Sequence, residues 1–160
     1  MPIEIERKFR VQSNSYKEEA VSTTRIVQGF LNTDPERTVR IRIDGDFGYL
    51  TVKGLSNTAG TARFEWEKEI EVKEAEILLR LCEPEILEKV RYRIPNGKHT
   101  FEVDEFLGSN EGLVVAEIEL LTETESFEIP EWIGNEVTGD IKYYNSNLSK
   151  QPYNTWFNET

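Results

Sequence analysis

The chain has 160 residues, 38% of them hydrophobic, and carries 30 acidic against 19 basic residues, for a formal net charge of −11. This length fits one domain, residues 1–160, with a core of its own. An evenly acidic surface repels nucleic acid and anionic lipid, which argues against both as partners. If the ligand is an anion, the basic residues must therefore be gathered in one place.

Scarce residue types limit the chemistry further. Cys82 is the only cysteine, so no intrachain disulfide is expected, and the single histidine, His99, argues against a His-based zinc site. Neither a Walker-type phosphate loop nor a Gly-x-Ser-x-Gly elbow occurs. Carboxylates, lysines and arginines must then carry the chemistry. The charged first residues do not fit a secretory signal and no apolar run has membrane-spanning length, so we predict a cytoplasmic protein.

Most of the chain alternates between apolar and polar residues with period two, which predicts strands. Eight strands are predicted near residues 3–11, 26–32, 38–44, 48–54, 62–72, 89–94, 99–106 and 113–121. Helices are predicted over 15–22 and 73–83, and a turn or helix at 130–133. The segment 143–150 is compatible with a further helix. This order favours one antiparallel domain with peripheral helices.

The polar positions of these strands are almost all charged, and their signs are sorted by strand. Acidic pairs at alternate positions are Glu4 and Glu6, Glu65 and Glu67, Glu102 and Asp104, and Glu117 and Glu119; basic pairs are Arg40 and Arg42, and Lys89 and Arg91. Like charges on one face repel unless an ion of opposite charge lies between them. A cation between the carboxylates and an anion between the basic side chains would relieve this repulsion. The alternative is a set of charged faces that simply meet water.

A hairpin at 95–98 brings the two signs together. If Asn96 and Gly97 form a two-residue turn, Arg91 lies opposite Glu102 and Lys89 lies opposite Asp104 on one face. Such a row of ion pairs contributes little stability on a surface. In a cavity, the same arrangement would join a metal-binding row to a phosphate-binding row.

A closed barrel accounts for all these patterns. Its charged faces would point inward, and the predicted helices 15–22 and 73–83 would cover its apolar outer face. A dry interior with so many charges is strongly unfavourable, so the lumen should hold water, metal and a polyanion. Mg²⁺ or Mn²⁺ suits carboxylate oxygens, and lysine and arginine suit phosphate.

Glu4-Ile5-Glu6-Arg7-Lys8 has the Glu-x-Glu-x-Lys form that opens proteins of the CYTH superfamily. Further blocks follow in family order: Val39-Arg40-Ile41-Arg42, Thr51-Val52-Lys53, Glu65-Trp66-Glu67, Lys89-Val90-Arg91-Tyr92, Glu102-Val103-Asp104, Glu117-Ile118-Glu119 and Glu136-Val137-Thr138-Gly139-Asp140-Ile141-Lys142-Tyr143. Over nearly its whole length, the chain resembles a CYTH triphosphate tunnel metalloenzyme. The resemblance implies a mainly β (α+β) fold, a closed eight-stranded antiparallel barrel with a charged interior. It also implies attack of water or an internal hydroxyl on a triphosphate, with Mg²⁺ or Mn²⁺ as cofactor.

The resemblance assigns a role to particular residues. The implied metal ligands are Glu4, Glu6, Glu65, Glu67, Asp104, Glu117 and Glu119. The implied phosphate-binding residues are Lys8, Arg40, Arg42, Lys53, Lys89, Arg91 and Lys142. The implied catalytic residues are Glu4, Glu6, Lys89 and Arg91. Glu102 is expected to orient Arg91, and the segment 143–150 to plug one mouth of the tunnel.

The resemblance favours one activity among several. Short bacterial members of the family resemble inorganic triphosphatases, so hydrolysis of tripolyphosphate to pyrophosphate and phosphate is the first choice. Class IV adenylate cyclase, thiamine triphosphatase and RNA 5′-triphosphatase are alternatives, although aromatic residues such as Tyr49, Trp66, Trp132 and Trp156 are expected to pack rather than bind a base. A non-catalytic polyphosphate-binding module is another. The expected partner is a small-molecule triphosphate, and a homodimer is compatible with the sequence.

Overall fold

Eight strands close into an antiparallel barrel, and a ninth strand lies beside it. The computed structural model describes residues 3–158. The strands are β1 (Ile3–Val11), β2 (Ser22–Asn32), β3 (Arg37–Asp44), β4 (Phe47–Ser56), β5 (Ala62–Ile70), β6 (Leu87–Asn96), β7 (His99–Phe106), β8 (Val114–Glu119) and β9 (Ile133–Glu136). The helices are α1 (Tyr16–Glu19), α2 (Val72–Leu79) and α3 (Asn145–Leu148), with 3-10 turns at Gly108–Asn110, Ile141–Tyr143 and Tyr153–Asn158. Around the barrel the order is β1-β5-β4-β3-β2-β6-β7-β8 and back to β1, which confirms the predicted closed barrel.

Cross-strand pairing places the alternating charged side chains on the inner face of the barrel. Arg40 of β3 pairs with Thr51 of β4, which in turn pairs with Glu67 of β5. Glu6 of β1 pairs with Glu119 of β8. Because directly opposed residues of antiparallel strands share a face, these charged rows continue from strand to strand. The predicted orientation, with charges inside and apolar side chains outside, is therefore correct.

Two apolar layers cover the outer face. Tyr16 of α1 and Trp132 belong to a buried cluster on the outside of β1, β6, β7 and β8. On the opposite side, α2 packs on β3 and β4, and the chain that follows α2 approaches β2 at Gly29. A Cβ atom on Gly29 would lie 2.7 Å from Ile86 Cδ1 and 2.9 Å from Cys82 Cβ. Only a glycine allows this close approach.

The inner face becomes apolar at one end of the barrel. Inward-facing side chains cluster there with side chains of the C-terminal segment in what we call the apolar floor: Phe30, Leu87, Phe106 and Val115 with Tyr143 and Leu148, together with Leu113. Leu148, in α3, is fully buried. The segment that contains α3 therefore covers this end of the barrel, as the resemblance implies for residues 143–150.

Strand β1 changes partner along its length. Residues 3–5 pair with β5, whereas Phe9 and Val11 pair with β9. Two glycines with positive φ, Gly60 and Gly139, meet where the loop after β4 touches the loop after β9. A Cβ atom on Gly60 would lie 2.3 Å from the Cα atom of Gly139. The contact therefore needs glycine for both its backbone conformation and its space.

Several element boundaries differ from the predictions. The helix predicted over 15–22 covers only Tyr16–Glu19, because Ala20 is extended and β2 begins at Ser22. Stiff β-branched residues such as Thr23 favour a strand at that point. Residues 130–133 form the predicted turn, in which Ile133 N donates to Pro130 O at 3.1 Å, and Ile133–Glu136 then form β9, which the periodicity does not reveal. None of the helices in the described part of the chain is both long and apolar enough to cross a bilayer.

The register of the β6–β7 hairpin also differs from the prediction. The two turn residues are Gly97 and Lys98, so Arg91 lies opposite Asp104 rather than Glu102. Gly97 has a φ of 64° at the first turn position, where favoured two-residue hairpins need a positive φ. The difference is two residues in the partner strand, which preserves side-chain parity. Basic and acidic side chains therefore still share the inner face.

Candidate active site

A cavity of about 610 Å³ occupies the barrel interior and is lined by side chains from all eight barrel strands. The structure brings most of the predicted site residues together around it: Glu4, Glu6, Lys8, Arg40, Arg42, Lys53, Glu65, Glu67, Lys89, Arg91, Glu117 and Glu119. Two predicted site residues do not line it. Asp104 is buried behind the cavity wall, and Lys142 lies on the protein surface.

One part of the cavity is strongly basic. We call Arg40, Arg42, Lys89 and Arg91, which come from β3 and β6, the basic centre. Arg40 Nη2 donates to Thr51 Oγ1 at 3.1 Å, but the buried Arg40 Nε has no hydrogen-bond partner. A buried donor without an acceptor is costly, so this atom needs an acceptor from a ligand or water.

Arg42 is the least neutralised cation of the basic centre. Its Nε donates to the neutral Gln28 Oε1 at 3.0 Å, and it makes no ion pair within residues 3–158. Burial, together with the nearby charges of Arg40 and Arg91, lowers the pKa of Arg42 to about 9. Arg40, Arg42 and Arg91 therefore face the same part of the cavity, and the nearby carboxylates do not neutralise all three. This excess of positive charge favours binding of an anion.

The opposite part of the cavity is acidic. We call Glu4, Glu6, Glu117 and Glu119, on β1 and β8, the acidic wall. Burial raises the pKa of Glu6 well above its ordinary value, and the charges of Glu117 and Glu4 add to that effect. Burial and the charge of Glu4 also raise the pKa of Glu119. A cation among these carboxylates would relieve their mutual repulsion.

Lysines occupy part of the acidic wall. Lys53 Nζ lies 3.0 Å from Glu4 Oε2, and Lys8 Nζ lies 3.5 Å from Glu117 Oε1. Although burial opposes it, the charge of Lys8 holds the pKa of Glu117 at about 2. Among the residues that the structure describes, no three acidic, histidine or cysteine side chains already form a metal cage. Glu4 and Glu117 are therefore paired with ammonium groups, whereas Glu6 and Glu119 form no salt bridge within residues 3–158.

Comparison with known proteins identifies the family of this charged barrel. A family model described as the CYTH domain matches residues 2–152. The chain belongs to the CYTH family. An inorganic triphosphatase of Acetivibrio thermocellus is 53% identical over 151 residues, which cover 94% of this chain and 95% of that protein. An inorganic triphosphatase of Nitrosomonas europaea is 34% identical over 91% of this chain and 96% of its own length.

A solved structure shares the architecture of this CYTH barrel. The crystal structure of an inorganic triphosphatase matches with a TM-score of 0.65 and 33% identity, covering 91% of this chain and 96% of that one. The family match and this structure confirm the resemblance stated from the sequence motifs. They also agree with the closed tunnel topology.

Asp104 holds the basic side of the CYTH barrel in place. Its carboxylate accepts from Arg91 Nε at 2.7 Å and Arg91 Nη2 at 2.9 Å, and Lys89 Nζ lies 2.7 Å away. Burial alone would raise the pKa of Asp104, but the charges of Arg91 and Lys89 hold it far below its ordinary value. Both oxygens of Asp104 contact Arg91 or Lys89 and the side chain does not line the cavity, so its role as a metal ligand stays a prediction. Glu102 lies 3.2 Å from Arg91 Nη1, as expected for an orienting residue.

The two predicted carboxylates of β5 lie between the basic centre and the acidic wall. Glu67 Oε2 accepts from Thr51 Oγ1 at 2.8 Å and lies 3.5 Å from Arg40 Nη2. Glu65 pairs across the sheet with Lys53, and burial raises its pKa. Both side chains line the cavity of the CYTH barrel, which also contains acidic and basic side chains from neighbouring strands.

The sequence reasoning missed one cation that lines the cavity and named another that does not. Arg63 of β5 lines the cavity opposite Glu4, donates to Gly54 O at 3.0 Å and forms no ion pair in the described structure. Arg63 precedes Glu65 and Glu67 by two and four residues, so the three side chains point to the same face of β5. This spacing was the signal that could have identified Arg63. Lys142, in contrast, is exposed, and its Nζ lies 4.7 Å from the ring centroid of Trp156. Lys142 therefore lies outside the cavity, and its role in phosphate binding stays a prediction.

Proposed function

We propose that this CYTH protein hydrolyses inorganic tripolyphosphate to pyrophosphate and phosphate inside its barrel. The observation that carries the proposal is the basic centre, where Arg40 Nε is buried without an acceptor and Arg42 lacks a counter-ion. A chain of phosphate groups supplies acceptors and negative charge for both. The relatives at 53% and 34% identity, both inorganic triphosphatases, support the same reaction class and substrate.

The CYTH family implies a divalent metal ion, and the acidic wall fits one. Its carboxylates are hard oxygen ligands, which suit Mg²⁺ or Mn²⁺, and burial together with their crowding raises the pKa of Glu6. Glu4, Glu6, Glu117 and Glu119 would hold the ion, with Glu65 and Glu67 as further candidate ligands. When bound, such an ion neutralises phosphate oxygens and acidifies a water molecule.

The basic residues bind and polarise the substrate. The guanidinium groups of Arg42 and Arg91 and the ammonium group of Lys89 can each donate hydrogen bonds to phosphate oxygens. Positive charge fixed at this place stabilises the negative charge that develops on the leaving group. The phosphate-binding set that we propose is Lys8, Arg40, Arg42, Lys53, Arg63, Lys89 and Arg91. No protein nucleophile is required.

Lys8 and Lys53 lie where the proposed metal site and the proposed phosphate site meet. Each ammonium group lies beside a carboxylate of the acidic wall and also lines the cavity. If a cation were bound at the wall, Lys8 and Lys53 could turn from these carboxylates toward phosphate oxygens. Metal binding and substrate binding are therefore expected to strengthen each other.

The cavity offers little surface for an organic group attached to the triphosphate. Phe30, Tyr49 and Tyr144 are the aromatic residues among those that line it. Phe30 belongs to the apolar floor, and the indole of Trp132 is fully buried in the outer core. A small inorganic substrate needs no further contact. These features favour tripolyphosphate over ATP or thiamine triphosphate.

The decisive experiment measures phosphate release from tripolyphosphate, ATP and thiamine triphosphate, with Mg²⁺ or Mn²⁺ and with a chelator. We expect rapid, metal-dependent turnover of tripolyphosphate and far slower release from the other two. Formation of cyclic AMP from ATP would instead identify a cyclase. Tight binding of tripolyphosphate without turnover would identify a polyphosphate-binding module. The cytoplasmic location and the homodimer stay predictions from the sequence.

A further inference from the structure

Two amide side chains connect the basic centre to the helix that closes the barrel. Asn145, the first residue of α3, accepts at Oδ1 from Lys89 Nζ at 2.8 Å and from Gln28 Nε2 at 2.7 Å. Gln28 Oε1 in turn accepts from Arg42 Nε at 3.0 Å. A continuous chain of hydrogen bonds therefore runs from Arg42 through both amides to Lys89.

The chemistry of the end groups fixes the orientation of both amides. Burial lowers the pKa of Lys89 to about 7, but the carboxylate of Asp104 at 2.7 Å favours its protonated form, which has only donors, so Asn145 presents its oxygen to Lys89. That oxygen requires a donor from Gln28, which turns the Gln28 oxygen toward Arg42. The guanidinium of Arg42, again a pure donor, completes the chain. Neither amide can flip without placing two donors or two acceptors against each other.

The location of these amides is unfavourable for a purely structural role. Gln28 is fully buried and Lys89 is 1% exposed. Gln28 pairs across the sheet with Leu87 of the apolar floor, and Phe30 lies two residues further along β2. An apolar residue at position 28 would extend that floor without the desolvation of an amide.

The network determines which donors of the basic centre remain free. An ammonium group has three donors, and Lys89 directs two of them to Asp104 at 2.7 Å and Asn145 at 2.8 Å. Arg42 uses Nε for Gln28, and its terminal nitrogens have no hydrogen bond within residues 3–158. One donor of Lys89 and the outer edge of Arg42 are thus available, each held in one direction.

We propose that Asn145 is a positioning residue that presets the basic centre for a polyanion, by holding Lys89 directly and Arg42 through Gln28. The inference rests on the proposed function and deepens it, because α3 then belongs to the substrate site. Groups held in their binding orientation lose less freedom when the ligand arrives. Loss of Asn145 should therefore raise the Michaelis constant for tripolyphosphate more than it lowers the turnover number.

The test compares two leucine substitutions in the same helix. Asn145→Leu removes the shared acceptor, whereas Asn147→Leu changes a side chain that forms no hydrogen bond in the described structure. We expect Asn145→Leu to weaken tripolyphosphate binding by about tenfold in calorimetry and to raise the Michaelis constant to match, since a hydrogen bond to a charged group is lost. Asn147→Leu should bind as wild type does. Asn145→Ala serves as a second variant if leucine disturbs folding.

Lys89→Met supplies the background that separates positioning from direct contact. In that background Asn145→Leu should weaken binding by clearly less than in wild type, because its direct target is already gone. Equal effects in both backgrounds, or equal binding by the Asn145 and Asn147 variants, would overturn the inference.

A ligand-free measurement separates this inference from the proposed function. In nuclear magnetic resonance spectra without substrate, Asn145→Leu should shift the side-chain amide of Gln28 and the Nε resonance of Arg42, and Asn147→Leu should not. Unmoved resonances contradict the network. A wild type that turns over no tripolyphosphate contradicts the proposed function alone, and these resonances then decide the network.

Discussion

The two ends of the barrel interior use the same inward-facing rows of residues, but one end is charged and the other is apolar. On β6, Lys89 and Arg91 face the cavity, while Leu87, two residues earlier, belongs to the apolar floor. On β8, Glu117 faces the cavity and Val115 belongs to the floor. Strand periodicity determines which side chains point inward. Packing of the C-terminal segment determines which end of the interior is shielded from water. The floor stabilises the fold, and the charged end carries the chemistry.

Removal of a carboxylate from the charged end should have the largest effect. We expect Glu119→Ala or Glu4→Ala to lower metal-dependent turnover of tripolyphosphate by about 100-fold or more, because an implied metal ligand is lost. Circular dichroism should show a folded protein in both cases. Glu76→Ala, on the exposed side of α2, is the matched control and should behave as wild type. Normal turnover by both site variants would remove the acidic wall from the proposal.

A substitution of Asp104 tests how much its ion pairs with Arg91 and Lys89 contribute to stability. Its pKa lies far below the ordinary value of 3.8, so its ionised form contributes stability that is present above about pH 4 and lost as the pH falls. We expect Asp104→Asn to lower the free energy of unfolding by about 3 kcal/mol at neutral pH, because it leaves buried cations unpaired. Below about pH 4 the difference from wild type should shrink. Urea unfolding across this range measures both effects; a difference that is independent of pH would contradict the assignment.

The apolar floor should respond in stability rather than in chemistry. Leu148 is fully buried in it, so Leu148→Ala should lower the free energy of unfolding by about 2 to 3 kcal/mol. The turnover number of the folded variant should change far less than that of a carboxylate variant. Leu81→Ala, at a position that is 69% exposed, is the control and should be close to neutral. A stable Leu148→Ala protein would show that the floor is not a folding element.

A substitution of Arg40 tests whether the basic centre binds phosphate separately from metal binding at the acidic wall. We expect Arg40→Ala to raise the Michaelis constant for tripolyphosphate by about tenfold, since hydrogen bonds to a charged ligand are lost. The metal concentration that gives half-maximal activity should change less. Arg80→Ala, at an exposed position after α2, controls for the loss of a positive charge. An unaltered Michaelis constant and turnover number would contradict the role of Arg40.

Lys142 should have the smallest effect of all. Its side chain is exposed and lies over Trp156, outside the cavity. Lys142→Ala should therefore leave the Michaelis constant and turnover number within about twofold of wild type, as for other surface changes. Steady-state kinetics on tripolyphosphate check this. A loss of tenfold or more would return Lys142 to the phosphate-binding set.

Period-two alternation predicted the strands and most of the charged residues that line the cavity, and the resemblance to the CYTH superfamily implied the closed eight-stranded barrel. Parity alone places Glu6, Arg42 and Lys89 on the inner face, whatever the exact register. The error in the β6–β7 hairpin shows this tolerance, because a shift of two residues moved the partner of Arg91 and left every side chain on its predicted face.

Features that depend on tertiary contacts were beyond the sequence pattern. Strand β9 is short and acquires its pairing only from β1, so no periodic signal marks it. Asp104 shares its parity with Glu102, yet the stagger of the strands places it behind Arg91. The bond between Gln28 and Asn145 joins residues 117 positions apart, and neither residue type indicates it.

The enclosure of the basic centre also shapes how substrate arrives. With a net charge of −11 on the chain and the strongest cations inside the barrel, a polyphosphate in bulk solution meets repulsion at long range and attraction only at close quarters. Dissolved salt shortens the reach of that repulsion, so capture should quicken at moderate ionic strength before the inner contacts weaken in turn. Bulky polyanions that cannot thread the barrel experience only the repulsive exterior, and the charge distribution thereby acts as a filter.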